Sequence, residues 1–111
     1  MNTISIDTKI AEIIKSTDKP FQCVILRIEC PLDTGILVEC WRVAEQEKFS
    51  QFIPGGVRVF FQFVEKLRQE QPQTIFNVVE ILIENTGKYT VSTSFDDSVQ
   101  KRAEENIKQD R

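Results

Sequence analysis

A run of alternating residues from Ile75 to Phe95 constrains this chain more than any other feature. Its first arm sets Ile75, Asn77, Val79, Ile81 and Ile83 on one face and Phe76, Val78, Glu80, Leu82 and Glu84 on the other. The second arm sends Tyr89, Val91, Thr93 and Phe95 one way and Lys88, Thr90, Ser92 and Ser94 the other. A period of two is that of a strand with distinct faces. Between the arms, Asn85-Thr86-Gly87 supplies Asn and Gly, the residues that best tolerate positive φ. The stretch therefore predicts two long strands joined by a tight turn.

The remaining elements fall around this hairpin. Residues 2–17 predict an amphipathic helix, because Ile6, Ile10, Ile13 and Ile14 recur at helical spacing; Asn2 or Ser5 caps it, and Asp7, Lys9, Glu12 and Lys15 face water. Asp18-Lys19-Pro20 ends it, since the residue before proline is pushed out of the helical region. Phe21–Cys30 and Gly35–Val43 read as strands, near-continuously apolar through their middles, as expected inside a sheet. The first carries Val24, Leu26, Ile28 and Cys30 on one face and Cys23, Ile25, Arg27 and Glu29 on the other. The second carries Ile36, Val38 and Cys40 against Leu37, Glu39, Trp41 and Val43. Residues 44–48 read as a polar connection, and 49–53 as either a short edge strand or a helix lead-in. After the break at Pro54-Gly55-Gly56, Val57–Gln71 predicts a core helix with Val57, Phe60, Phe61, Val64 and Leu67 on its stripe. Ser98–Arg111 predicts a charged, peripheral third helix with Ser98 as its N-cap and Val99 and Ala103 as a thin apolar stripe.

The order α-β-β-(β)-α-β-β-α predicts a single α+β domain over residues 1–111: one antiparallel sheet of four or five strands with helices packed on one face. With 111 residues and 41% apolar content, such a domain needs no metal or disulfide to hold a core. Three cysteines, Cys23, Cys30 and Cys40, are an odd number without a CxxC pair and read as small buried hydrophobes, not as a disulfide framework or zinc site. No basic region followed by an apolar run opens the chain, and no apolar stretch approaches membrane-spanning length. The expected location is therefore cytoplasmic, with no membrane partner.

The residue inventory argues against an enzyme. The chain has no histidine, the commonest general base and transition-metal ligand. Pro54-Gly55-Gly56 lacks the Lys and Ser/Thr of a phosphate loop, and no serine sits in a G-x-S-x-G elbow. Asp96-Asp97 lacks the acidic spacing of a calcium loop. Neither a catalytic residue nor a cofactor nor a metal site is expected. With 17 acidic and 14 basic residues, the net charge of −3 disfavours nucleic acid as a partner. Between Phe76 and Asp97, Glu80, Glu84, Asp96 and Asp97 stand against Lys88 alone, so the hairpin accounts for the whole net charge. Its polar face either steers a basic partner, with Glu80, Glu84, Lys88, Asp96 and Asp97 as binding residues, or serves solubility alone.

The Ile-rich first helix, FQCVILRIEC, the second strand with Trp41, the Phe-rich helix and the closing GKYTVSTSFDD together resemble the YezG-like immunity proteins of bacterial polymorphic toxin systems. In that family the last strand opens with Gly-Lys-aromatic, alternates, and ends in an aromatic followed by acids; Gly87, Lys88, Tyr89, Phe95, Asp96 and Asp97 fit. The tryptophan that often precedes the hairpin is absent, with Phe76 nearest. The resemblance implies a monomer or weak homodimer. It would bind and neutralise the toxic C-terminal domain of a cognate effector, a basic nuclease, by occluding its active or substrate-binding surface. The same element order also suits a cytosolic chaperone of the type III secretion kind, which would bind an effector segment and expose an apolar dimer contact among Phe60, Phe61 and Phe63.

Overall fold

The computed structural model describes residues 5–32 and 35–109, with side chains described as far as residue 105. The expected α+β architecture is present: α1 (Ile6–Ser16), β1 (Cys23–Glu29), β2 (Leu37–Ala44), β3 (Glu47–Ser50), α2 (Arg58–Glu70), β4 (Val78–Glu84), β5 (Tyr89–Ser94) and α3 (Asp97–Gln109). The strands form one antiparallel sheet in the order β3-β2-β1-β4-β5. The hairpin's first arm thus lies beside β1, the central strand, and its second arm forms an edge.

Alternation along the two inner strands decides where the core lies. Val24, Leu26 and Ile28 of β1 and Val79, Ile81 and Ile83 of β4 are fully buried on one face. Ile10 and Ile13 of α1 and Phe60 and Val64 of α2 pack with them, joined by Phe21, Cys40 and Phe76. Each such side chain stabilises the fold by about 1.5–3 kcal/mol relative to exposure. Of the three phenylalanines on α2, Phe60 is in the core, Phe63 packs against it and Phe61 is exposed.

The ends of the elements differ from the sequence reading in instructive ways. Ser5 caps α1, its Oγ accepting the Thr8 N–H at 3.2 Å, whereas Asn2 lies outside the described residues. Lys9 does not face water. It is buried under the 54–56 turn, where its Nζ donates to the Pro54 carbonyl. Gly55 suits the turn through its φ of +76°, and a Cβ there would also crowd the Lys9 Nζ at 3.1 Å. The polar connection after β2 is a two-residue hairpin turn, so β3 begins at Glu47 and the helix lead-in reading of 49–53 fails. Glu45 and Gln46 hold φ of 52° and 68°, the left-handed geometry such turns demand, without the Asn or Gly that normally supplies it.

The hairpin also loses its alternation before β4 begins. Val78 faces Ser94 in register, and Asn77 donates its N–H to the Ser94 carbonyl at 3.1 Å. Two residues thus oppose one, as in a bulge. The offset turns Phe76 into the core and leaves Ile75 69% exposed, the reverse of the uninterrupted pattern.

A candidate protein-binding face

The sheet face opposite α1 and α2 carries the second set of alternating side chains. In register, Val43, Cys23 and Glu84 form one row across β2, β1 and β4. Trp41, Ile25, Leu82 and Thr90 form the next, followed by Glu39, Arg27, Glu80 and Ser92, and finally Leu37, Glu29, Val78 and Ser94. Antiparallel pairing holds neighbours in a row within about 5 Å, so each row is a contiguous strip.

One end of this face is closed. In the last row Val78 is buried, as is Val99 of α3, both outside the main core cluster. Asn77 fastens α3 to this end. Its Nδ2 donates to the Asp96 carbonyl and its Oδ1 accepts the Asp96 N–H, both at 2.8 Å. Asp96, not Ser98, is the N-cap: its Oδ1 accepts the Ser98 N–H at 2.9 Å and the Ser98 hydroxyl at 2.6 Å. Those two bonds, aided by Arg27, hold the Asp96 carboxyl below its ordinary pKa. Arg27 is the hub of an ion-pair cluster, reaching Glu29 at 3.4 Å, Glu80 at 3.2 Å and Asp96 at 3.5 Å, while Arg102 of α3 reaches Glu29 at 3.3 Å. The guanidinium offsets the mutual repulsion of three carboxylates that converge from β1, β4 and the α3 cap.

The other end is open. Ile25 and Trp41 are half-buried and Leu82 is 46% exposed, and this apolar strip looks onto solvent. A shallow hollow of about 290 Å³ lies beside Leu82, lined by Ile25, Glu80, Thr90 and Ser92. Lys48 of β3 reaches over the Trp41 ring, 5.8 Å from its centroid. Carboxylates of Glu39, Glu80 and Glu84 flank the strip.

The sequence-predicted binding residues divide between these two ends. Glu80 and Asp96 meet on Arg27, so they are partly neutralised within the molecule. Asp97 is exposed in the first turn of α3, where an acid complements the helix dipole. Glu84 is exposed on the open face beside Cys23, and Lys88 is exposed at the turn, its carbonyl accepting the Glu84 N–H at 2.8 Å. Trp41, Ile25 and Leu82 each lie on a face that alternation marks, but the apolar middles of the first two strands pointed to cover on both sides, and here that cover is incomplete. Only the strand order, with β1 between β2 and β4, brings them into one strip. Asn77 carried one signal of its role, a lone amide within the apolar run FNVV.

Two of the cysteines are held as buried thiols. Burial pushes the Cys40 thiol up to about 12 and raises Cys30 as well, the latter opposed by Arg68. All three are free thiols. Among the described residues no group of three His, Cys, Asp or Glu could hold a metal ion, and no helix is long and apolar enough to cross a membrane. The chain matches no family model and no curated protein.

Proposed function

We propose that this chain is an immunity protein that binds the toxic C-terminal domain of a bacterial effector, a basic nuclease, and neutralises it by covering its active or substrate-binding surface. The observation that carries this reading is the open strip Trp41–Ile25–Leu82 bounded by Glu39, Glu80 and Glu84. An apolar centre with an aromatic anchor and a charged rim is the anatomy of a protein-binding patch. A nuclease presents cationic side chains where its polyanionic substrate lies, and carboxylates around the strip would steer the two together and compete for those side chains.

The test begins with stoichiometric capture of the toxin domain from host lysate, followed by inhibition assays with purified components. Trp41→Ala should weaken binding at least tenfold, and Glu84→Lys should slow association and flatten its salt dependence. Recovery of no toxin domain, or full neutralisation by Trp41→Ala, would overturn the reading.

The secretion-chaperone alternative has one observation in its favour. A groove of about 440 Å³ beside the β2–β3 edge is lined by Val38, Trp41, Phe52, Ile53 and Val57, and Phe52 is 84% exposed. Recovery of an effector held through its N-terminal segment would select that reading.

A further inference from the structure

The two edges of the sheet are guarded unequally. At one edge β3 has four residues, two of them charged, Glu47 and Lys48. At the other, β5 is the six-residue strand YTVSTS, with no charge and no proline. Edge strands ordinarily carry such guards because their outward amides and carbonyls template pairing with another chain. On β5 those groups belong to Tyr89, Val91 and Thr93. The Glu84 N–H donates to the Lys88 carbonyl, so residues 88, 90, 92 and 94 are the ones that bond to β4, and the alternate residues face outward. Among the described residues, none bonds the outward amides and carbonyls of these three.

We propose that β5 pairs antiparallel with β5 of a second copy of this chain, joining two five-stranded sheets into one continuous sheet. The occupant follows from the strand's self-complementarity. With Val91 on the two-fold axis, each outward N–H and C=O finds a partner: Val91 faces Val91, and Tyr89 faces Thr93 of the second copy. Thr90 then faces Ser92, two exposed neutral side chains on the open face. Lys88, which precedes the strand, falls opposite Ser94, so the one cation beside the strand lies toward the acidic end, Asp96-Asp97, of the second copy at both ends of the interface. Gly87 falls opposite Phe95, which is 45% exposed, and space around Gly87 is open. A second copy thus supplies matched backbone, matched charge and no like-charged pair along the strand. This pairing does not depend on what the open face binds.

Sedimentation velocity across a concentration series tests it. The wild-type chain should show a reversible monomer–dimer equilibrium. Thr90→Lys with Ser92→Lys places lysine against lysine twice across the axis and should weaken dimerisation at least tenfold. Thr90→Glu with Ser92→Lys places opposite charges there and should restore it. Both positions are exposed, so neither change touches the core. Thr93→Pro removes one outward N–H without breaking the β4 ladder and should also weaken the dimer. Thermal melts of every variant separate lost pairing from lost folding. A wild-type chain that stays monomeric throughout would overturn the proposal. So would a dimer indifferent to both the double lysine and Thr93→Pro, or a folded Thr90→Glu, Ser92→Lys variant that fails to recover pairing.

Discussion

The two ends of the outer sheet face are built from the same strands and serve opposite ends. Where α3 docks, polar groups are tied together: Asn77 holds both backbone groups of Asp96, and Arg27 gathers Glu29, Glu80 and Asp96. A few rows away, Trp41 and Ile25 are only half-buried and Leu82 is exposed. Polar residues do the structural work at the closed end, and apolar residues wait unsatisfied at the open one. The usual equation of hydrophobic with buried and charged with exposed is inverted across one sheet face.

The comparison breaks most sharply at Asn77. Replacing it with alanine removes the partners of both Asp96 backbone groups at a fully buried site, and stability should fall by about 3 kcal/mol in urea unfolding. A loss below about 1 kcal/mol would mean that α3 is fastened by something other than this amide.

Arg27 comes next. Arg27→Met keeps the aliphatic stem but leaves Glu29, only 8% exposed, with Arg102 alone. The loss should be about 2 kcal/mol, short of a fully buried pair because Glu80 and Asp96 are half-exposed and screened.

The cap itself sharpens the comparison through pH. Asp96 has a folded-state pKa below its ordinary 3.8, so the unfolded chain binds its proton more readily than the folded one. Its contribution is therefore fully present above the ordinary carboxylate range and is lost as pH falls through the lowered value. Asp96→Asn can still accept the Ser98 N–H, so it should retain α3 at neutral pH while removing this part of the acid dependence. Thermal melts between neutral and strongly acidic pH would show the wild-type and variant curves converging at the acid end.

How much of this could be read in the chain depends on the range of the interaction. Alternation and helical spacing are local, and they predicted the element order and which side chains of β1 and β4 share a face. Pairing order is not local: nothing in FQCVILRIEC says that β1 will lie between β2 and β4, so the strip Trp41–Ile25–Leu82 was invisible until the strands were paired. The charge of the hairpin acids was counted without Arg27, which arrives from another strand. Lys9 misled for the same reason, because a lysine at a solvated helical position is exposed only until another segment, here 54–56, lies over it. The Glu45-Gln46 turn was missed because its residues contradict the rule for the left-handed geometry they adopt. Gln46→Gly should relieve that strain and raise stability by about 1 kcal/mol, a gain readable as a higher urea midpoint at unchanged slope.

The smallest expected effect on stability is the most informative. Leu82 lies in the apolar strip yet is nearly half exposed, so Leu82→Ser removes little buried surface and should change unfolding free energy by no more than about 0.5 kcal/mol. Its neighbours Ile81 and Ile83, fully buried on the same strand, would cost several times more. If Leu82→Ser instead destabilised the isolated chain as Asn77→Ala does, the strip would be part of the core and the contrast between the two ends would collapse. If stability holds while capture of the toxin domain is lost, the residue is one the fold can spare and the partner cannot.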